Sequence, residues 1–145
     1  MSRFTGAAEF RRVFDLLFTF LSRDERFGPR LKALEKPQRF VIRDLKLTLD
    51  VAGTKVGGKA GESLRWAWNG KGRDWEPAVV LELDAATANA FFQGRVNLPK
   101  ALLTGEIEVV DGSAAVPLET LPILKEFYPL WTRRVRHEGW DHLVA

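Results

Sequence analysis

Residues 78–112 read AVVLELDAATANAFFQGRVNLPKALLTGEIEVVDG, and this stretch decides the expected fold. Apolar residues alternate with others over Ala78–Leu83, which predicts a strand with its apolar side chains on one face. Asp84 is the expected N-cap of a helix that continues through Phe92 and stops at Gly94. The first half of the stretch is therefore expected to be a strand followed directly by a short helix.

A second short helix and a second strand complete the stretch. Asn97 is the expected N-cap, Pro99 is tolerated in the first turn, and Gly105 ends the helix. Glu106–Val110 alternates again and predicts a strand, which the turn signal Asp111-Gly112 ends.

The N-terminal part of the chain is expected to be helical. Residues 7–22 carry apolar side chains at helical spacing, and the apolar stripe is wide enough to predict burial between layers. Contact of this stripe with a membrane or a partner stays open. Val13–Leu21 is too short to span a bilayer, and charged residues rather than a cleavage site follow it, so we interpret it as part of the mature helix. Phe27–Glu35 predicts a second, shorter helix.

The middle of the chain predicts strands. Leu45–Val51 alternates between apolar and polar residues, and Phe40–Ile42 is expected to extend that strand. Leu64–Trp68 alternates in the same way. Glycine-rich linkers at 53–61 and 69–72 separate these strands from each other and from Ala78, so hairpins are the expected connections.

The C-terminal part is harder to interpret. After Ala114, the residues Pro117, Pro122 and Pro129 are expected to break up any long helix, because proline removes a backbone hydrogen bond and clashes with the preceding turn.

Length and composition indicate one soluble globular domain. The chain has 145 residues, of which 46% are hydrophobic and 28% charged, enough to bury a core without disulfides. It contains no cysteine, which excludes thiolate nucleophiles and thiolate metal sites and suits a reducing compartment, so we expect a cytoplasmic location. The net charge of +3 is concentrated near the N-terminus and leaves contact with an anionic membrane surface open.

Motifs for catalysis, metals and nucleic acids are weak. The sequence of the loop at 53–60 nearly matches that of a phosphate-binding loop. However, Ala60 stands where magnesium binding needs a hydroxyl, so a hairpin loop is favoured. His137 and His142 are five apart rather than four, which favours a surface tail over a metal site. No nucleophile has an evident base. Trp66 and Trp68 share one face of a strand with Leu64, which favours the core over a basic platform for stacking nucleic-acid bases. We therefore expect no enzyme activity, no cofactor, no metal and no nucleic-acid partner.

The order and spacing of the predicted elements at 78–121 resemble those of the sterol carrier protein 2 family. The features that carry the resemblance are a strand and a helix that ends in Gly94-Arg95-Val96-Asn97, then a short helix and Gly105-Glu106-Ile107-Glu108-Val109 leading into a strand. The tryptophan-bearing strand Leu64–Trp68 fits the same pattern. The resemblance is convincing over about residues 40–121 and extends in outline to the N-terminal helix.

The resemblance implies an α+β fold, a five-stranded sheet covered by helices with an apolar tunnel between them. It implies non-enzymatic binding of fatty acids, acyl-CoA, sterol-like molecules or phospholipids, and it leaves their transfer within the cell open. An alternative is an accessory protein that presents a lipophilic biosynthetic intermediate, such as a quinone precursor, to partner enzymes; a closed domain that serves only assembly is a third reading. The expected ligand-contacting residues are Phe91, Phe92, Leu98, Leu102, Leu103, Leu118, Leu121 and Leu124. Without the resemblance, the same side chains would favour a solid core.

The chain departs from the family pattern in three places. The loop from Ala52 to Glu62 is long, the expected last helix contains prolines, and residues 128–145 form a C-terminal extension of the single domain 1–145. The extension could plug the tunnel, line it or contact a partner protein.

Overall fold

The computed structural model describes residues 4–34, 36–54 and 62–145. Within them the helices are α1 (Ala7–Arg23), α2 (Gly28–Ala33), α3 (Ala85–Phe92), α4 (Leu98–Thr104) and α5 (Ala115–His137). The strands are β1 (Gln38–Ile42), β2 (Leu47–Gly53), β3 (Leu64–Trp68), β4 (Val79–Leu83) and β5 (Glu108–Gly112). Short 3-10 turns cover Arg43–Leu45 and Asp141–Leu143.

The strands form one mixed sheet in the order β3-β2-β1-β4-β5. The central pair, β1 and β4, is parallel, and the other neighbours are antiparallel. Together with the helices this confirms the expected α+β class and the five-stranded sheet.

The register brings apolar side chains together on one face of the sheet. Phe40 lies opposite Leu49 on β2 and Leu81 on β4, and Ile42 lies opposite Leu47 and Leu83. Residues directly opposite each other share a face, so these pairs form a continuous apolar surface. The helices pack on this surface. Buried side chains of α1, α3, α4 and α5 join those of the sheet in one hydrophobic core, and α2 adds the half-buried Leu31.

The strand, the two short helices and the second strand expected at 78–112 are present. The expected side-chain cap at Asp84 is wrong, because its carboxylate makes no capping hydrogen bond and the N–H of Ala85 donates to Asp44 instead. Asn97 accepts a hydrogen bond from the backbone N–H of Lys100 at 3.0 Å, and Gly105 ends α4 in the left-handed conformation with φ 80°.

Strand β5 begins at Glu108 rather than at Glu106 and runs through Gly112. The expectation of a turn at Asp111-Gly112 is wrong, because these two residues pair with Val80 and Val79 of β4.

The expectation that Phe40–Ile42 extends the next strand is wrong. The segment belongs to the separate strand β1, which forms an antiparallel hairpin with β2. Arg43–Leu45 forms a 3-10 turn and Lys46 adopts a positive φ of 52°, so the chain reverses between the two apolar runs.

The hairpin expected at 69–72 is also wrong. Asn69 and Gly70 do adopt positive φ, but the chain then crosses to β4, which lies beyond β2 and β1 in the sheet. The other expected hairpin joins β2 and β3, which are antiparallel neighbours, but residues 55–61 of its loop lie outside the described residues.

Helix α5 contradicts the expected break at the three prolines, because it runs unbroken for 23 residues. Pro117 lies in the first turn, where backbone N–H groups have no partner within the helix. Pro122 and Pro129 are exposed, two turns apart. The core face of α5 compensates for the lost hydrogen bonds by burying Val116, Thr120, Ile123, Leu124, Phe127, Trp131 and Val135.

Candidate functional site

An apolar cavity of about 90 Å³ lies between the sheet and the helices. Most of its wall is buried and aromatic or aliphatic. The sheet contributes Phe40, Ile42, Leu49, Val51, Leu81 and Leu83, and the helices contribute Phe14, Phe18, Ala88, Phe91, Phe92, Leu98, Val116 and Leu124, among others.

Aromatic rings form the wall where α1 meets α3. Phe92 packs edge-on against Phe14 and Phe18, with centroids 5.7 and 5.8 Å away, and against Phe91 at 5.0 Å. Edge-to-face contacts of this kind fix ring orientation. This side of the cavity is therefore well ordered by packing, without any hydrogen bond.

Four of the eight residues expected to contact a ligand line the cavity. These are Phe91 and Phe92 on α3, Leu98 on α4 and Leu124 on α5. Three different helices thus bring them together around the same space, and their contact with a ligand stays a prediction.

The other four lie elsewhere. Leu102, Leu118 and Leu121 are half-buried against the core but are not part of the described wall. The expectation that Leu103 contacts a ligand in the cavity is wrong, because its side chain is 88% exposed at the end of α4. Adjacent helical residues point about 100° apart, and α4 turns Leu98 and Ala101 inward, which leaves Leu103 facing outward.

Sequence reasoning missed the contribution of α1 and of the strands. Phe14 and Phe18 lie one helical turn apart on the stripe that predicted burial between layers. The inward residues of β1, such as Phe40 and Ile42, were visible as an apolar run. Their period identified a buried face, but not that this face borders empty space.

The cavity approaches the surface at a group of residues that we call the opening. Of the described wall residues, those that are not buried are Leu31, Leu34, Lys36, Gln38, Phe40 and Gly53. They come from α2, the segment after it, the start of β1 and the end of β2. Lys36 is the most exposed of them, and its Nζ donates to both carboxylate oxygens of Glu119 on α5, at 2.9 and 3.0 Å.

The C-terminal extension does not contribute to the described wall. Leu143 is fully buried, and its backbone carbonyl accepts hydrogen bonds from the side-chain amides of Asn89 and Gln93, each at 2.8 Å. Residues 128–145 thus form the end of α5 and a segment that packs back against α3. Of the three roles left open for them, neither plugging the tunnel nor lining it is seen.

Titratable groups are few around the cavity. Tyr128 packs against Phe91 at 5.9 Å between ring centroids, and burial raises the pKa of its phenol, which keeps it neutral. Among residues 4–34, 36–54 and 62–145 there is no cluster of three His, Asp or Glu side chains that could hold a metal ion. Within the same ranges, no helix combines the length and the apolar character that crossing a bilayer requires.

Comparison with known proteins finds similarity in structure only. No family model and no curated protein matches the chain. A sterol carrier protein 2 from Yarrowia lipolytica in its apo form has a TM-score of 0.58 at 16% identity, covering 80% of this chain and 89% of that one. The UbiJ-SCP2 ubiquinone synthesis protein has a TM-score of 0.51 at 17% identity, covering 84% and 91%.

An enzyme also contains this fold. The inverting sec-alkylsulfatase from Pseudomonas sp. has a TM-score of 0.57 at 17% identity over 75% of this chain, but the chain spans only 16% of the alkylsulfatase. The chain therefore has the sterol carrier protein 2 fold, which occurs both as a separate protein and as part of a larger enzyme.

Proposed function

We propose that this protein binds apolar lipids without catalysing a reaction on them, and that it carries them between sites in the cell. The observation that carries the proposal is the cavity between the sheet and the helices. Its wall is almost entirely apolar, as expected for a site that recognises hydrocarbon rather than polar groups.

Hydrocarbon burial supplies the driving force. Each methylene removed from water contributes about 0.8 kcal/mol, so a chain of ~10 methylenes gains roughly 8 kcal/mol before the costs of association. A site of this kind needs few hydrogen bonds, and the aromatic rings around Phe92 supply contact area instead.

The size of the cavity sets a condition on this function. Sites for ligands of drug size enclose roughly 300–1,000 Å³, whereas this cavity encloses about 90 Å³. A long-chain ligand therefore needs the wall to move outward. The six-residue helix α2 lies at the opening and is the element we expect to move.

The chemistry around the cavity supports a non-catalytic role. The described wall carries no His, Asp, Glu, Ser or Tyr side chain. Its one lysine, Lys36, is paired with Glu119, and its one threonine donates to the carbonyl of Pro117 at 2.6 Å. General acid–base and nucleophilic catalysis need such groups within hydrogen-bond reach of the substrate.

Titration with a fluorescent fatty acid tests the proposal. We expect saturable binding in the low micromolar range or tighter, competed by unlabelled fatty acid. Binding that neither saturates nor competes would reject it.

Native mass spectrometry of freshly purified protein separates carrying from the accessory role. A retained apolar ligand on the lone chain supports carrying. A retained partner chain together with a quinone precursor would support the alternative, with which the ubiquinone synthesis neighbour is consistent without favouring it.

A further inference from the structure

We propose that the site prefers single-chain lipids with a terminal carboxylate, and that Lys36 binds this carboxylate by exchanging it for Glu119. The inference rests on the proposed function, because it assigns the polar end of a ligand whose apolar chain lies in the cavity.

Position is the first argument. The wall residues with exposed surface cluster at the opening, so a ligand that buries its chain leaves its head group there. Lys36 is the one charged side chain among the described wall residues, and it lies within this cluster. A lysine can place its aliphatic stem along apolar surface while its ammonium group stays in water.

The existing partner of Lys36 is itself a carboxylate. Glu119 accepts two hydrogen bonds from Nζ, and the two side chains are 45% and 40% exposed. Ion pairs exposed to this extent are weak, since water and salt screen them. A ligand carboxylate offers the same pair of oxygens, so the exchange keeps the geometry and costs little.

The surrounding backbone favours an anion as well. Helix α5 begins at Ala115, and its first turns supply Val116 and Pro117 to the wall of the cavity. The N-terminal end of a helix carries a partial positive charge, which stabilises nearby anions. Lys36 is joined to this part of α5 by its hydrogen bonds to Glu119, in the second turn of the helix.

The test compares dodecanoate with dodecanol, which share a chain and differ in the charge of the head. Both displace the neutral probe N-phenyl-1-naphthylamine from the full chain, and the variants are Lys36→Met and Glu119→Gln. Lys36→Met should weaken dodecanoate about two- to fivefold, as expected for the loss of one exposed ion pair, and leave dodecanol unchanged. Glu119→Gln should strengthen dodecanoate about two- to fivefold, because it removes the competing carboxylate.

Lys100→Met is the matched control. Lys100 is exposed on α4, outside the described wall, so this variant loses the same charge without touching the opening. It should leave both ligands unchanged, and melting temperatures of all three variants should stay near that of the original protein.

The two hypotheses fail differently. Equal binding of both ligands, with a ratio that no variant changes, would overturn the carboxylate preference and leave lipid binding standing. Failure of both ligands to displace the probe from the unaltered protein would overturn lipid binding, and the carboxylate preference with it. Opposite changes in dodecanoate affinity for Lys36→Met and Glu119→Gln support the proposal. If the pair were merely structural, both variants would bind dodecanoate more weakly or both would be unchanged.

Discussion

Gly94 and Gly105 show how one backbone conformation can carry two different constraints. Both follow a short helix with positive φ, 77° and 80° respectively. A Cβ at Gly105 would meet open space, whereas at Gly94 it would lie 2.8 Å from the ring and 3.1 Å from the Cβ of Tyr128. Gly105 is thus required only by its dihedral angles, and Gly94 also by the close approach of α5.

Alanine at the two positions should therefore have unequal effects. Gly105→Ala should lower the free energy of unfolding by about 1 kcal/mol, the cost of a left-handed alanine. Gly94→Ala should lower the free energy of unfolding by a further ~1–3 kcal/mol, because Tyr128 and the helix that carries it must shift. Urea denaturation of both variants measures the difference, and equal losses would mean that α5 yields freely at Tyr128.

Tyr128 gives a prediction at high pH. Burial raises the pKa of its phenol above the value in the unfolded chain, so the folded state holds this proton more tightly. Its contribution to stability is complete below the unfolded pKa of about 10 and is lost as pH rises beyond it.

The measurement is direct because Tyr128 is the single tyrosine of the chain. Its absorbance change should appear only at a pH above that of free tyrosine, or together with unfolding. Tyr128→Phe should lose less stability than the original protein between pH about 9 and 11. A normal titration in the folded protein would show that the ring is accessible to water.

At the scale of elements, a polar contact joins α1 to the edge strand β3. Asp15 accepts hydrogen bonds through the same oxygen from the indoles of Trp66 and Trp68, at 2.9 and 2.7 Å. Asp15 interrupts the apolar run of α1 in the sequence. The structure explains why a carboxylate stands there, since the indole N–H groups of the half-buried Trp66 and the buried Trp68 need an acceptor.

Asp15→Ala should lower the free energy of unfolding by about 1–3 kcal/mol, because two indole N–H groups lose their charged partner. Asp15→Asn, which keeps an acceptor oxygen at the same place, should retain part of that energy. Thermal denaturation followed by tryptophan fluorescence compares the two. Equal losses in both variants would indicate that the charge alone, rather than the hydrogen bonds, holds α1 on β3.

Elements with local signals were predictable, and those decided by packing were not. Asn97 and Gly105 mark the ends of α4 through their own chemistry, and Asp84 marks the start of α3 by position although its side chain makes no capping hydrogen bond, so both helices could be placed to within a residue or two. Pro122 and Pro129 gave a local signal too, but the buried face of α5 outweighs it. No local signal separates β1 from β2, because the reversal depends on a left-handed Lys46.

At the scale of the whole molecule, periodicity in the sequence predicted the layers, and only the family resemblance implied a space between them. Leu98, Leu102 and Leu103 are the same residue type on one short helix, yet one lines the cavity, one packs beside the core and one faces water. Which of these occurs depends on the distance between α4 and the sheet, and hence on every other contact. The cavity can be tested independently of ligand binding.

A paired substitution on α3 provides that test. Ala88 lines the cavity, whereas Ala85 on the same helix is buried but does not. Leucine at 88 extends into empty space, so Ala88→Leu should leave the free energy of unfolding unchanged or raise it by up to about 0.8 kcal/mol per buried methylene, while weakening dodecanoate binding. Leucine at 85 meets packed neighbours, so Ala85→Leu should cost about 1–3 kcal/mol. If Ala88→Leu destabilised the ligand-free protein as much as Ala85→Leu, the space would be filled in solution and the protein would need another site for its lipid.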